Sequence, residues 1–524
     1  MQRLRDAGDG LMRTLSDGAV PGGRAAVAGR VLVDGTWDNA NYWFRFAMVR
    51  RALGLSGVTM TGLVGAFRRG EVAATFERFG VDARIDLQAL SRIEPRHRTA
   101  ARTLLARVRT AEDILRAELP GGMPGEIFYD GVLKRQRRGT ADLADPLLPD
   151  HVAEQFASID AAVRVLDEVR PDLLLLTHGL NFSYGSLAWE GIRRGIPVLL
   201  LYGDFGTTRF VRLFSRGDLF VFPSRPSRAE LAGLAPATRV ALERVGAEQL
   251  ELRRRGRTND IGGRYAYRAG GSALSKAEIC RRYGWDPAKP IVGVYASNPF
   301  DYPHCTGMYH FRDFVEWNRE TVAAAARNPH ANFLCKPHPI DRRYGLKYGE
   351  GLADAVMAVA SAHVRLADEA WSGAELMRCL DGAVTHHGSV GFEAAAMGIP
   401  VMTTDCAWYD EVGFVARPAS KAAYLDKLAS EWWRDWPTQE AISLANLAAG
   451  LYYGVPDWQG GYIFRDDSDQ DAIYETLPAF IADHGVAIER EIATIRDWYD
   501  AAHPFFHMFK MFRSSGFGIG NATD

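Results

Sequence analysis

Short apolar runs alternate with helix-like stretches along most of the chain. RVLVDG (30–35) precedes the helix-like NYWFRFAMVRRALGL (41–55), and SGVTMTGLV (56–64) reads as the next strand. The charged stretch 91–118 reads as helical throughout. VRPDLLLLTHG (169–179), a further helix and GIPVLLLYGD (195–204) follow. These strands lack polar alternation and are separated by helices, as parallel strands covered on both faces are. The expected fold class is α/β.

One internal echo sharpens the expectation. Residues 172–204 (DLLLLTHG…GIRRGIPVLLLYGD) and 381–405 (DGAVTHHG…AAAMGIPVMTTD) share a plan. In each, an apolar strand ends in Thr-His or His-His before glycine, a helix follows, and Gly-Ile-Pro-Val opens the next strand. The tetrapeptide alone is an ordinary helix-to-strand turn, with Gly closing the helix and Pro starting the strand. The whole unit occurring twice predicts two Rossmann-like, doubly wound domains in tandem. The seam falls in the Gly- and Arg-rich 253–278, so residues 1–260 form the first domain and 275–475 the second. Ser275 is a candidate N-cap and Pro290 a strand start. Residues 476–524 read as helical, either packing back on the first domain or touching a membrane.

Composition narrows the class. At 524 residues the chain exceeds one ordinary core. With 47% hydrophobic and 24% charged residues it has the balance of a soluble globular protein. A formal net charge of −2 provides no footprint for nucleic acid, and none is expected as a partner. The five cysteines are scattered without zinc spacing and read as reduced thiols. The first residues lack a signal-peptide core, and no run reaches the ~20 apolar residues of a membrane span. The expected location is the cytoplasm, with a peripheral contact to the inner membrane face left open.

Candidate chemistry lies at the strand ends, where open parallel sheets bind ligands. In GSVGFEAAAMGIPV (388–401) and the residue before it, His387, Gly388 and Ser389 leave a strand and Glu393 sits one turn into the helix. Free amides at such a turn suit phosphate, and a carboxylate there could accept ribose hydroxyls. An ordinary serine cap with a surface salt bridge fits the same residues. NFLCKPHPIDRR (332–343) ends a second strand in Lys336, His338 and Arg342, a basic turn held by two prolines and suited to an anion. A third strand end, VYASNPFDYPHC (294–305), supplies Ser297, Asn298 and Asp301. In the first domain Asp204, His178 and Asp34 end strands and are candidates for acid–base work. Trp37, Tyr42 and Trp43 beside Asp34 could stack on sugar. In the tail, HPFFHMFKMFR (503–513) places Phe505, Phe509 and Phe512 on one helical face, to pack on the first domain or to meet an inner leaflet.

KPHP (336–339) followed by GSVGFEAAAMGIPV (388–401) resembles the capsule polysaccharide biosynthesis family, the capsular Kdo-transferase type of glycosyltransferase, over about residues 275–410. The resemblance implies a GT-B architecture of two Rossmann-like domains facing across a cleft, with the second holding a nucleotide-sugar, a CMP-sugar by preference. It implies His338 and Ser389 at the donor phosphate and Glu393 near the ribose. One departure from the family pattern is that its acidic-acidic-Gly segment of the first domain is present only as YGDFGTTRF (202–210), with Asp204 ranked first among the candidate acceptor bases. In a GT-B enzyme backbone amides and basic side chains can stabilise the departing phosphate, so neither metal nor cofactor is expected beyond the donor. The acceptor expected is a surface polysaccharide or its lipid-linked precursor. Alternatives are a nucleotide-sugar 2-epimerase, a CDP-polyol phosphotransferase and a non-catalytic scaffold of the same fold.

Overall fold

The computed structural model describes the chain apart from residues 1, 28, 82, 181, 203–208, 221–227, 257–266, 268–273, 339–340, 342–344, 347–349, 405–406, 435, 454–469, 503–504 and 508–524. It divides into two compact units. The first takes in Met1–Val132, Leu143–Pro223 and the segments Gln470–Asp500 and Phe505–His507; the second takes in Leu133–Asp142 and Ser224–Gly454. The expected seam at 253–278 lies mostly outside the described residues. The helix Pro236–Arg254, assigned to the first domain from sequence, belongs to the second.

The first unit is built on β1 (Arg30–Asp34), β2 (Thr59–Val64), β3 (Ala83–Asp86), β4 (Leu173–Leu176), β5 (Val198–Tyr202), β6 (Arg209–Leu213) and β12 (Phe505–His507). Their order is β12-β6-β5-β4-β1-β2-β3, parallel from β5 to β3, with β6 antiparallel to β5 and to β12. The second unit holds β7 (Ile291–Tyr295), β8 (Asn332–Lys336), β9 (Val364–Leu366), β10 (Gly382–Thr385) and β11 (Val401–Met402), all parallel in the order β11-β10-β7-β8-β9. Strands β5-β4-β1-β2-β3 and β11-β10-β7-β8-β9 follow the same winding. The sequence echo therefore occupies the fourth and fifth strands of both sheets. Gly195 and Gly398 end the two preceding helices at φ +70° and +78°, the left-handed conformation that only glycine adopts without strain. The amides of Ile196 and Ile399 then reach back to Gly191 and Ala394.

The central helix of the first unit, Ala40–Ala52, is buried along its whole length, with Asn39 capping it. The C-terminal helix Gln470–Asp500 lies on this unit: Phe480 packs edge-on to Phe44, Tyr474 donates to Asp9, and Trp498 is fully buried beside Phe210. Two expectations are corrected. The stretch 91–118 is not one helix; it breaks into Pro95–Leu105 and Ala111–Leu115, the second started by a Thr110–Asp113 capping box. The tail is not helical at 505–507, where the chain adds β12 to the edge of β6. Phe509 and Phe512 lie outside the described residues. Among the described residues, no helix is long and apolar enough to cross a membrane.

In the second unit Ser275 caps Lys276–Tyr283 through a reciprocal box with Glu278, and Pro290 precedes β7, as expected. Helix Pro236–Arg254 packs against Thr438–Tyr453 almost backbone to backbone. A Cβ at Gly246 would lie 1.9 Å from the Asn446 carbonyl, and one at Gly450 would lie 2.1 Å from that of Leu242. This close approach delivers Arg253 to the site described next.

Candidate functional site

The strand order of the second unit reverses between β7 and β10, and the carboxyl ends there form the crevice in which such sheets bind ligands. The register brings three exits level, because Tyr295 pairs with both Thr385 and Lys336. Asn298, buried beyond β7, donates from Nδ2 to Asp341 Oδ1 at 2.9 Å and accepts from the Phe300 amide at 3.2 Å. This bond ties the exits of β7 and β8 together. Burial pushes the Asp341 carboxyl up to about 7, against the hydrogen bonds from Asn298 and the His338 backbone. Asp341 stands three residues past His338 and received no role from the sequence.

At the exit of β10, His386 is fully buried, edge-on to Phe314 and Trp317 at 4.9 and 6.1 Å between ring centres. His387 stacks on Phe314, and the two imidazoles meet Nδ1 to Nδ1 at 3.0 Å, so one of them carries the proton there. The Gly388 carbonyl accepts from the Tyr409 hydroxyl at 2.6 Å, and its amide donates to Thr385 Oγ1 at 3.3 Å. Ser389 departs from the capping expectation. Its backbone is already helical (φ −57°, ψ −22°) and its side chain makes no cap bond to Val390–Ala395. A cap requires an extended residue whose oxygen turns back to the first amides.

The remaining expected donor residues divide. The Glu393 carboxylate is buried and engaged by Arg253, with Nη2 at 3.0 Å and Nε at 3.2 Å, while that guanidinium stacks on Tyr453 and Tyr267. It is not the surface salt bridge of an ordinary helix. Lys336 is corrected: its ammonium donates to the Trp371 carbonyl beyond β9 at 3.0 Å, and burial lowers its pKa. Its cation is thus held on the β9 side of β8, away from the β7–β10 crevice. Asp301 pairs with Lys134 at 2.6 Å, and Lys134 also lies over the rings of Phe300 and Tyr302. Arg342 lies outside the described residues.

In the first unit the order reverses between β1 and β4. Asp34, fully buried, accepts from the Thr177 amide and hydroxyl at 3.0 and 2.5 Å and from the Thr36 amide and hydroxyl at 2.8 and 2.6 Å. It is a tie between strand exits and not an open base. His178 sits beside it, its Nδ1 3.0 Å from Thr177 Oγ1, between Trp37 and Tyr184. Tyr42 and Trp43 belong to the core and cannot stack on sugar, whereas Trp37 is 46% exposed. Asp204 lies outside the described residues. Among the described residues, no three His, Cys, Asp or Glu side chains gather as metal ligands would.

The segment that carries β8, β9, β10 and their exits has known relatives. Residues 318–428 match the capsule polysaccharide biosynthesis protein family. The match contains Lys336, His338, His387, Gly388, Ser389 and Glu393, so the resemblance drawn from KPHP and GSVGFEAAAMGIPV holds over the capsule-synthesis segment. Among solved structures, the chain is similar to a UDP-GlcNAc 2-epimerase from Neisseria meningitidis bound to UDP-GlcNAc, at 10% identity over 80% of this chain and 97% of that one, with a TM-score of 0.24. It is also similar to sucrose-phosphate synthase from Thermosynechococcus elongatus, at 13% identity over 86% and 100% of the two chains and a TM-score of 0.27. UGT89C1 of Arabidopsis thaliana complexed with UDP is similar at 12% identity over 88% and 99%, with a TM-score of 0.29. No curated protein sequence matches the chain.

Proposed function

We propose that the protein is a glycosyltransferase of GT-B type that moves a sugar from a nucleotide-sugar, a CMP-sugar by preference, to a surface polysaccharide or its lipid-linked precursor. The observation that supports this reading is that the exits of β8 and β10, which lead to His338 and to Gly388 and Ser389, stand level on either side of β7 inside the segment matched by the capsule family. Sugar transfer asks little covalent chemistry of a protein. It needs the departing phosphate stabilised, the acceptor hydroxyl activated and water kept out. The Ser389 hydroxyl and the His338 side chain are the groups for the first task, acting where charge grows in the transition state. Glu393, fixed by Arg253, holds the helix behind the phosphate and is the candidate for the ribose. Acceptor activation falls to a carboxylate or imidazole of the first unit, with Asp204 and His178 as candidates. The reading takes no metal.

The test is donor turnover with and without acceptor. The protein is incubated with CMP-, UDP- and GDP-sugars, and free nucleotide is measured alone and after adding capsular oligosaccharide. Acceptor-dependent nucleotide release supports transfer. A change of the sugar without any acceptor identifies an epimerase instead, and incorporation of a polyol phosphate from a CDP-polyol identifies the phosphotransferase.

A further inference from the structure

The carboxyl edge of the first unit presents an aromatic surface that the reading above leaves unused. Trp37 follows β1 and Phe67 follows β2, and the register of these neighbours brings their exits together, with Asp34 opposite Leu63. The two rings stack with centroids 6.1 Å apart and planes inclined by 26°, yet Trp37 keeps 46% and Phe67 55% of its surface in solvent. Large apolar rings left half exposed side by side mark recognition more often than packing.

The loop that carries Trp37 is held on both sides. Thr36 is bound to Asp34 by amide and hydroxyl, and its hydroxyl oxygen also lies 2.7 Å from the Tyr184 hydroxyl. Asp38 receives both Nη atoms of Arg5 at 2.7 Å and the Trp43 indole at 2.9 Å, and Asn39 caps the next helix. An exposed tryptophan between two hydrogen-bonded neighbours, a half-buried Thr36 and a buried Asp38, is ordered before any ligand arrives, which lowers the entropy cost of stacking. Arg68 adds charge at the rim. Its backbone has φ +47°, which a non-glycine residue adopts only when the surroundings impose it, and its guanidinium lies 5.8 Å from the Phe67 ring centre. It is 3.5 Å from an Asp38 carboxylate that Arg5 already engages at both oxygens. His178 closes the other flank, edge-on to Trp37.

We infer that Trp37, Phe67 and Arg68 form a binding site for an acidic glycan, in which a pyranose ring lays its apolar face on the aromatic rings and a sugar carboxylate meets Arg68. Sugar rings offer a C–H face to aromatics, and a planar guanidinium pairs with a carboxylate at two points. The inference depends on the transferase reading only in taking this glycan for the acceptor.

The test is calorimetric titration of the full-length protein, without donor, with tetragalacturonate as the acidic probe and maltotetraose as the neutral one. The site predicts that tetragalacturonate binds at least tenfold more tightly. Trp37→Ala and Phe67→Ala each weaken it at least tenfold, while Trp37→Phe retains binding and guards against a folding defect. Arg68→Gln abolishes the preference for the acidic probe and leaves maltotetraose unchanged. Absence of binding, equal binding of the two probes, or an unchanged affinity in Trp37→Ala overturns the inference. Titration of the same proteins with nucleotides separates the two proposals. Nucleotide binding without glycan binding removes the platform alone, whereas glycan binding without any nucleotide response removes the transferase reading and leaves the platform standing.

Discussion

Replacing Asp341 by Asn tests whether the strand exits are organised as described. The carboxyl is buried, with Asn298 as its side-chain donor, and its pKa rises from 3.8 to about 7 because burial outweighs that bond. Below about pH 4 the group is protonated folded or unfolded and contributes no pH dependence. Between pH 4 and 7 the unfolded chain ionises while the folded protein keeps its proton, so stability falls as pH rises; above 7 the loss is complete. Moving a carboxyl from 3.8 to about 7 corresponds to about 4 kcal/mol at 1.36 kcal/mol per tenfold change in proton affinity, a ceiling that local relaxation lowers. Asn keeps an oxygen for Asn298 and cannot ionise. Urea unfolding at pH 5 and pH 8 should show the variant gaining on the wild type by about 2–3 kcal/mol over that interval. Donor binding should follow the same group: an Asp341 anion near His338 opposes phosphate, so wild-type affinity declines from pH 6 to 8 and the variant's does so less. A stability difference equal at both pH values would refute the burial argument.

Three further outcomes follow from the same structure. Glu393→Gln leaves Arg253 buried without its anion and should destabilise the second unit by about 3–5 kcal/mol in thermal or urea unfolding; an unchanged melting temperature with lost donor affinity would refute the structural role and leave the carboxylate only its ribose role. Donor binding measured by calorimetry should survive EDTA, and its loss would show that a metal takes part. Removing residues 503–524 strips β12 from β6 and bares a strand edge. The truncated protein should melt earlier and associate at high concentration, whereas unchanged melting with lost sedimentation on anionic vesicles would restore the membrane reading of the tail.

The winding was legible because its determinants are local. Apolar runs without alternation, a Ser275–Glu278 capping box and glycines at 195 and 398 are each written within a few residues, and the repeat of 172–204 in 381–405 reported two equivalent sheets. What escaped depends on partners distant in the chain. Asn298 and Asp341 are 43 residues apart, and Arg253 reaches Glu393 across 140. Lys336 looked like a phosphate ligand because it stands in a basic turn, but its direction is set by the Trp371 carbonyl beyond a neighbouring strand. The tail pattern fits a helix equally well, and only the edge of β6 makes residues 505–507 a strand. In 91–118 the charge masked a break that Thr110 and Asp113 already encoded as a capping box.

The central claim is that the exits of β8 and β10 hold the donor phosphate. Calorimetric titration of CMP, CDP, UDP, GDP and ADP into the wild type, Ser389→Ala and His338→Ala, with the melting temperature of each, tests it most directly. One nucleotide should bind the wild type. Ser389→Ala should weaken it by about 1.5–3 kcal/mol, the loss of a hydrogen bond to a charged group, and melt with the wild type because its hydroxyl caps nothing. His338→Ala should weaken binding as well. Wild-type nucleotide affinity in both variants would contradict the account.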